Sequence, residues 1–276
     1  MPQIVCKKME DKDKQIQSLL ETFNPITLDQ MSNIKLMNRI DTKYVTTKRQ
    51  LIELLQLVHD KYYVQTIGTT TICPYRTTYF DTNEHTMYMQ HHNKYAKRTK
   101  VRVRTYLTSD DLTYLEVKNK NNHGRTKKKR IRVDSLEASK QTEGAEELVR
   151  RKTGLSLQSM HYVVQNEFDR ITLVNMAKTE RLTIDFNINF YNYETGNNAD
   201  SDQLVIIELK RDGNIFSPIC TILRDLHIHP TGFSKCCIGM VWTDENLRNN
   251  NFKQKVRNLA KINADERYLK EHQSIN

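Results

Sequence analysis

The sequence predicts an α+β protein in which about eight mostly antiparallel strands close into a charge-lined β tunnel, with helices packed outside. Three observations carry this. Period-two runs rich in Val, Ile, Thr and Tyr recur along the chain with short connections between them. Amphipathic stretches such as Leu51-Ile-Glu-Leu-Leu-Gln-Leu-Val58 intervene singly, as helices covering a sheet do. Within the strands, charged side chains share faces: Lys100, Arg102 and Arg104 alternate with Val101 and Val103, Glu116 falls with Lys118, and Lys128 falls with Arg130 and Arg132. Neighbouring cationic rows repel one another, so an anion is expected between them.

Taken in order, residues 1–32 read as a helical segment. Ile16, Leu19, Leu20 and Phe23 lie at helical spacing before Pro25, and Leu28, Met31 and Ile34 resume it. The main domain is expected over 33–245. Its first strand is Arg39-Ile-Asp-Thr-Lys-Tyr-Val45, after which Thr47 stands as an N-cap for the helix at 51–58. The Thr- and Tyr-rich run from Tyr62 to Asp81 is broken at Pro74 into two strands. A short helix spans Met87–His92, and the three cationic strands follow, the last two joined by a hairpin with Gly124 in its turn. Residues 135–152 read as helical with Gly154 as the stop. Strands are expected at 162–174, 181–191 and 204–210, with 195–202 a flexible loop. Pro218 opens a helix, and 246–276 form a C-terminal helix.

Composition narrows the function classes. A formal charge of +10 favours a polyanionic partner. No apolar run reaches the roughly 20 residues of a membrane span, and the N-terminus has no signal-peptide core, so a cytoplasmic location is expected. Five cysteines without a C-x-x-C pair indicate free thiols. His91-His92 and His227-x-His229 have no third ligand at a diagnostic spacing and read as surface histidines. Neither a P-loop nor a G-x-G-x-x-G motif is present.

Glu-x-Lys occurs twice, at Glu116/Lys118 and Glu208/Lys210, each time inside an apolar strand. Charges held there need a counter-charge, which a metal and a phosphate chain would supply. Phosphoryl transfer asks chiefly for neutralised oxygens and an acceptor held in line. Arg forks and Lys suit the phosphates, and a carboxylate such as Glu208 suits Mg²⁺ or Mn²⁺.

The succession Arg39-x-Asp-x-Lys43-Tyr, Tyr79-Phe-Asp-Thr82, Arg102-x-Arg104, Leu115-Glu-x-Lys118, Lys128-x-Arg130, Arg181-x-Thr-x-Asp185, Glu208-x-Lys210 and Phe233-Ser-Lys235 resembles the VTC domain, the catalytic domain of the vacuolar transporter chaperone polyphosphate polymerase, in the triphosphate tunnel metalloenzyme (CYTH-like) superfamily. The resemblance implies a polymerase that passes the terminal phosphate of a nucleoside triphosphate, ATP foremost, to a growing inorganic polyphosphate chain with Mn²⁺ or Mg²⁺. Carried over by position, Lys43, Arg102, Arg104, Lys118, Lys128, Arg130, Arg181, Lys210 and Lys235 would bind phosphates. Glu208 would hold the metal with Glu116 beside it.

Hydrolytic relatives begin Glu-x-Glu-x-Lys, whereas this chain has Arg39-x-Asp41-x-Lys43, which favours the polymerase branch. The sensing domain and membrane helices of the eukaryotic polymerase are not expected here. Product made without export, a separate membrane protein partner and peripheral membrane association all stay open. A metal-dependent triphosphatase and a non-catalytic polyanion-binding protein are the alternatives; nucleic acid is not expected as a partner. The same alternation predicts that Arg102→Ala weakens triphosphate binding while the fold survives.

Overall fold

The computed structural model describes residues 11–32, 39–108, 111–122, 126–213 and 217–262. Among the described residues eleven strands are seen: β1 Asn24–Thr27, β2 Arg39–Thr47, β3 Tyr62–Thr66, β4 Cys73–Asp81, β5 Arg98–Tyr106, β6 Leu112–Lys120, β7 Thr126–Val133, β8 His161–Asn175, β9 Glu180–Asn192, β10 Asn198–Ser201 and β11 Leu204–Asp212. Hydrogen bonding orders eight of them β2-β11-β9-β8-β4-β5-β6-β7, and β1, β3 and β10 attach as short additions. Among the described residues the ladders are antiparallel except β1 on β3. The helices are α1 Asp11–Leu20, α2 Leu28–Ser32, α3 Lys48–Val58, α4 Thr86–His92, α5 Ala145–Thr153, α6 Pro218–Asp225 and α7 Lys235–Thr243. No helix among the described residues is long and apolar enough to cross a membrane. The predicted fold class is therefore present, with three strands more than expected.

The chain forms two compact units, and the long strands β8 and β9 contribute to both. The first unit holds 1–72, 171–186 and 203–232. Alternation sends Leu182, Ile184, Ile207 and Leu209 to one face of β9 and β11, where they pack with Ile16 and Leu20 of α1, Leu51, Leu54 and Leu55 of α3, and Ile219 and Leu223 of α6. Thr47 caps α3 as expected, its side chain accepting from Gln50 N.

The second unit holds 73–170, 187–202 and 233–276. Val101 and Val103 of β5 and Leu115 and Val117 of β6 are buried against α5 and its neighbours Leu157 and Met160. Gly154 ends α5 with φ +78, the left-handed conformation that glycine adopts without steric cost. Gly239 lets α7 lie close on β9: a Cβ there would stand 2.9 Å from Phe190 Cε1. Gly239→Ala is expected to destabilise by about 1–3 kcal/mol through overpacking, read from a denaturant melt.

Several local expectations change, one of them at Pro74, which lies inside β4 opposite Asp169 rather than at the break between the two strands. Helices α1 and α2 stand on either side of Pro25 as expected, but Pro25 itself lies within β1, which pairs with Tyr63–Thr66 at the edge of the sheet, where its missing N–H is tolerated. The polar loop after β9 includes β10, whose Asn198–Ser201 pair back onto Ile188–Tyr191. Phe233-Ser-Lys-Cys-Cys-Ile238 runs into helix α7, capped by Ser234, whose hydroxyl accepts from Cys237 N. Ile34 and Gly124 lie outside the described residues, as does the C-terminal helix beyond 262. The cysteines among the described residues are free thiols, as expected.

Candidate functional site: a cationic face and an acid-base cluster

The predicted site residues fall in two groups. Arg102, Arg104, Glu116, Lys118, Lys128, Arg130 and Lys235 belong to the second unit, and Lys43, Arg181, Glu208 and Lys210 to the first.

In the second unit, strand register places the charges. Arg102 stands opposite Glu116 and Tyr79, Arg104 opposite Tyr114 and Thr77, and Lys100 opposite Lys118. Across β6 and β7, Glu116 stands opposite Arg130, and Lys118 opposite Lys128. Because directly paired residues project to the same face, the apolar alternates are left for the core and the charged ones share the other side.

Glu116 is the acid at the centre. Its side chain is 1% exposed, with one oxygen accepting from Arg102 Nε at 2.8 Å and the other from Lys128 Nζ at 2.8 Å. Burial would raise its pKa, but Arg102, Arg104 and Lys128 outweigh it and hold the carboxyl at about 2. Arg102, which burial would weaken, is driven up by the same carboxylate. Glu116 therefore has both oxygens engaged by cations, and it fixes Arg102 and Lys128 in place.

Arg104 is held differently. Its Nε donates to Thr77 Oγ1 at 3.1 Å, and its guanidinium lies 5.6 Å from the Tyr75 ring centre and 5.9 Å from that of Phe168. Those two rings stack at 5.4 Å. Arg170 lies 5.0 and 5.2 Å from the same two ring centres, and Lys235 Nζ lies 4.0 Å from that of Phe168. Three cations thus gather on one aromatic pair, whose π faces offset part of their charge. Burial and the neighbouring Arg102 and Arg170 push Arg104 down to about 10. Lys235 opens α7, where the helix N-terminus adds further positive potential. Arg130 lies over the Tyr114 ring at 4.2 Å on the exposed strand β7.

In the first unit, β11 runs between β2 and β9. Glu208 stands opposite Lys43 and Thr183, and Lys210 opposite Asp41 and Arg181. Lys210 Nζ lies 2.6 Å from Glu208 Oε2 and donates to Thr183 Oγ1 at 2.8 Å, while Lys43 Nζ lies 3.9 Å from Glu208 Oε1. This cluster mixes signs: Lys43, Lys210 and Arg181 share their strands with Asp41, Glu208 and Asp185.

Sequence reading missed Arg170, Phe168, Tyr75 and Thr77. Arg170 sits in β8 among polar residues with no partner base two positions away, so alternation carried no signal there. Pairing of Tyr75 with Phe168 across β4 and β8 brings it in. Asn166, in register with Thr77, is fully buried on the same strand. His92, expected at the surface, is instead fully buried and engages Asn93 and Asn251.

The sequence pattern of the VTC domain matches residues 38–243. The chain belongs to the VTC domain family. Among solved structures, the VTC domain chain is similar to a candidate adenylyl cyclase from Hippeastrum described as having a dominant triphosphatase activity, at 13% identity over 75% of this chain and 97% of that one, with a TM-score of 0.50. A candidate adenylate cyclase from Bacillus halodurans matches at 12% identity, 72% and 96% coverage and a TM-score of 0.48. The capping enzyme triphosphatase of Mimivirus matches at 11% identity, 79% and 95% coverage and a TM-score of 0.31. No curated protein matches the sequence.

Proposed function

We propose that this VTC domain is a polyphosphate polymerase, transferring the terminal phosphate of a nucleoside triphosphate, ATP foremost, to a growing inorganic polyphosphate chain. The observation that carries the reading is the gathering of Arg104, Arg170 and Lys235 on the Tyr75–Phe168 pair beside Arg102. A carboxylate holds Arg102, whereas rings and a hydroxyl hold Arg104. Desolvated like charges gathered in this way are stabilised by a polyanion, and a phosphate chain offers oxygens at the repeat that successive guanidinium forks can grip in bidentate fashion.

The roles follow from placement. Arg102, Arg104, Arg170 and Lys235 bind and orient phosphates, with Lys118, Lys128 and Arg130 extending the row along β6 and β7. Glu116 keeps Arg102 and Lys128 aimed and charged. Charge on the transferred group is neutralised by preorganised cations rather than by covalent chemistry, so no protein nucleophile is needed.

In the first unit, Lys43, Arg181 and Lys210 supply further cations. Glu208 fits a divalent ion: its carboxylate is part exposed, and Thr183 and Asp185 add hard oxygen donors on the adjoining strand, a set that suits Mn²⁺ or Mg²⁺. When bound, the ion would neutralise charge on non-bridging phosphate oxygens.

With ATP and Mn²⁺, the purified chain is expected to make products longer than pyrophosphate on a polyphosphate-resolving gel, and Glu208→Ala to slow this roughly 100-fold. Orthophosphate release from tripolyphosphate with no chain growth would replace the reading by a triphosphatase. Binding without turnover, metal-independent and steeply salt-dependent, would replace it by a polyanion-binding protein.

A further inference from the structure

Outside the cationic rows, the second unit brings together two imidazoles and a carboxylate: His85 before α4, His161 at the start of β8, and Glu194 after β9. Their ligand atoms all lie within 4.8 Å of one another. Both imidazoles aim the same nitrogen at one acid, with His85 Nε2 at 3.0 and 2.9 Å from Glu194 Oε1 and Oε2, and His161 Nε2 at 2.8 Å from Oε1.

Each member is fixed by neighbours of its own. Asp81, buried at the end of β4, accepts from the backbone N–H groups of Thr82, Met87 and Tyr88, which locks the 82–86 turn. That turn holds His85 in the left-handed region, at φ 51 and ψ 44, a conformation uncommon for a residue with a side chain. His161 is paired with Asp81 in the β4–β8 ladder. Asn192, also buried, accepts from the N–H groups of Glu194 and Thr195 and donates to Thr243. Ordinary surface ion pairs hold mobile side chains; here three separate backbone devices aim three donors at one point, with each side chain still 21–34% exposed.

We propose that His85, His161 and Glu194 bind a single divalent transition-metal ion of the zinc class, with the remaining position open to water. Two imidazole nitrogens with one carboxylate select for zinc-like ions over magnesium or calcium, which prefer all-oxygen sets. Tetrahedral zinc with Zn–N near 2.05 Å places its ligands about 3.3 Å apart, so the observed cluster needs only a small opening. The ion takes the place of the protons that now bridge imidazole and carboxylate, and it joins the β4–α4 turn, the start of β8 and the end of β9. The site stands independently of the polymerase reading, since none of its residues belongs to the phosphate or Glu208 groups.

Titration of the purified chain with Co²⁺ alone tests it. The wild type is expected to develop an intense visible ligand-field band that saturates at one equivalent of Co²⁺ and that Zn²⁺ abolishes, apart from any weakly absorbing ion at Glu208, and Zn²⁺ is expected to raise its melting temperature. His161→Ala and Glu194→Gln, made separately, are expected to lose the band, whereas Glu208→Ala keeps it. His85→Asn is included because asparagine tolerates the left-handed backbone and removes the imidazole without disturbing the turn. No band in the wild type, a band retained in folded His85→Asn, or loss of the band in Glu208→Ala overturns the proposal.

Discussion

Glu116→Gln is expected to destabilise the protein by on the order of 3 kcal/mol near neutral pH, because it leaves the mostly buried Arg102 beside Arg104 without its acid and takes away the partner of the part-exposed Lys128. Glutamine can accept one hydrogen bond but carries no charge, and its amide would meet a donor on the other side. The same carboxylate governs acid stability. Its pKa is lowered from the ordinary 4.5 to about 2 in the folded protein. A depressed carboxylate contributes stability that is fully present above the unfolded value and is lost as pH falls toward the folded one. Denaturant melts of the wild type should therefore lose stability between about pH 4.5 and 2. Glu116→Gln should show a flatter slope in that window. Equal slopes, with equal stability at pH 7, would remove Glu116 from its central place.

Arg104→Ala is expected to do the opposite: to leave stability within about 1 kcal/mol of the wild type while weakening tripolyphosphate binding roughly 100-fold. Arg104 is pushed down to about 10 by burial and by Arg102 and Arg170, so it stays charged at neutral pH but its charge is held at a cost in the ligand-free protein. Removing it relieves that cost and forfeits a cation that a phosphate chain would have used. Titration calorimetry with tripolyphosphate, beside a melt of each protein, separates the two effects. Unchanged affinity would remove Arg104 from the binding row. This contrast also revises the expectation for Arg102. Alternation alone predicts that Arg102→Ala spares the fold, but Arg102 is the partner of a buried carboxylate, and its loss would strand that charge. Arg104 is the cleaner probe of binding.

Much of the fold was legible because burial and strand geometry act locally. Val101 and Val103 against Lys100, Arg102 and Arg104 could only sort to two faces of a strand, and the core shows that they do. Thr47 and Gly154 were legible for the same reason, since capping depends on a few neighbouring residues. The short strands β1 and β10 were not, because four residues at a sheet edge take their structure from a partner rather than from their own propensity.

The sequence by itself determined the strand rows, the cationic surplus and the VTC family, all properties of residues close together in the chain or of their order along it. Only the tertiary structure decided which charges meet. Register set Glu116 against Arg102 and Arg130 and placed Lys128 within reach, pairings that the spacing within each strand does not contain. Arg170 entered the site through the stacking of Tyr75 on Phe168, and His85 met Glu194 across 109 residues. Pair energies depend on distance and burial, and neither is written in the spacing of residues on separate strands.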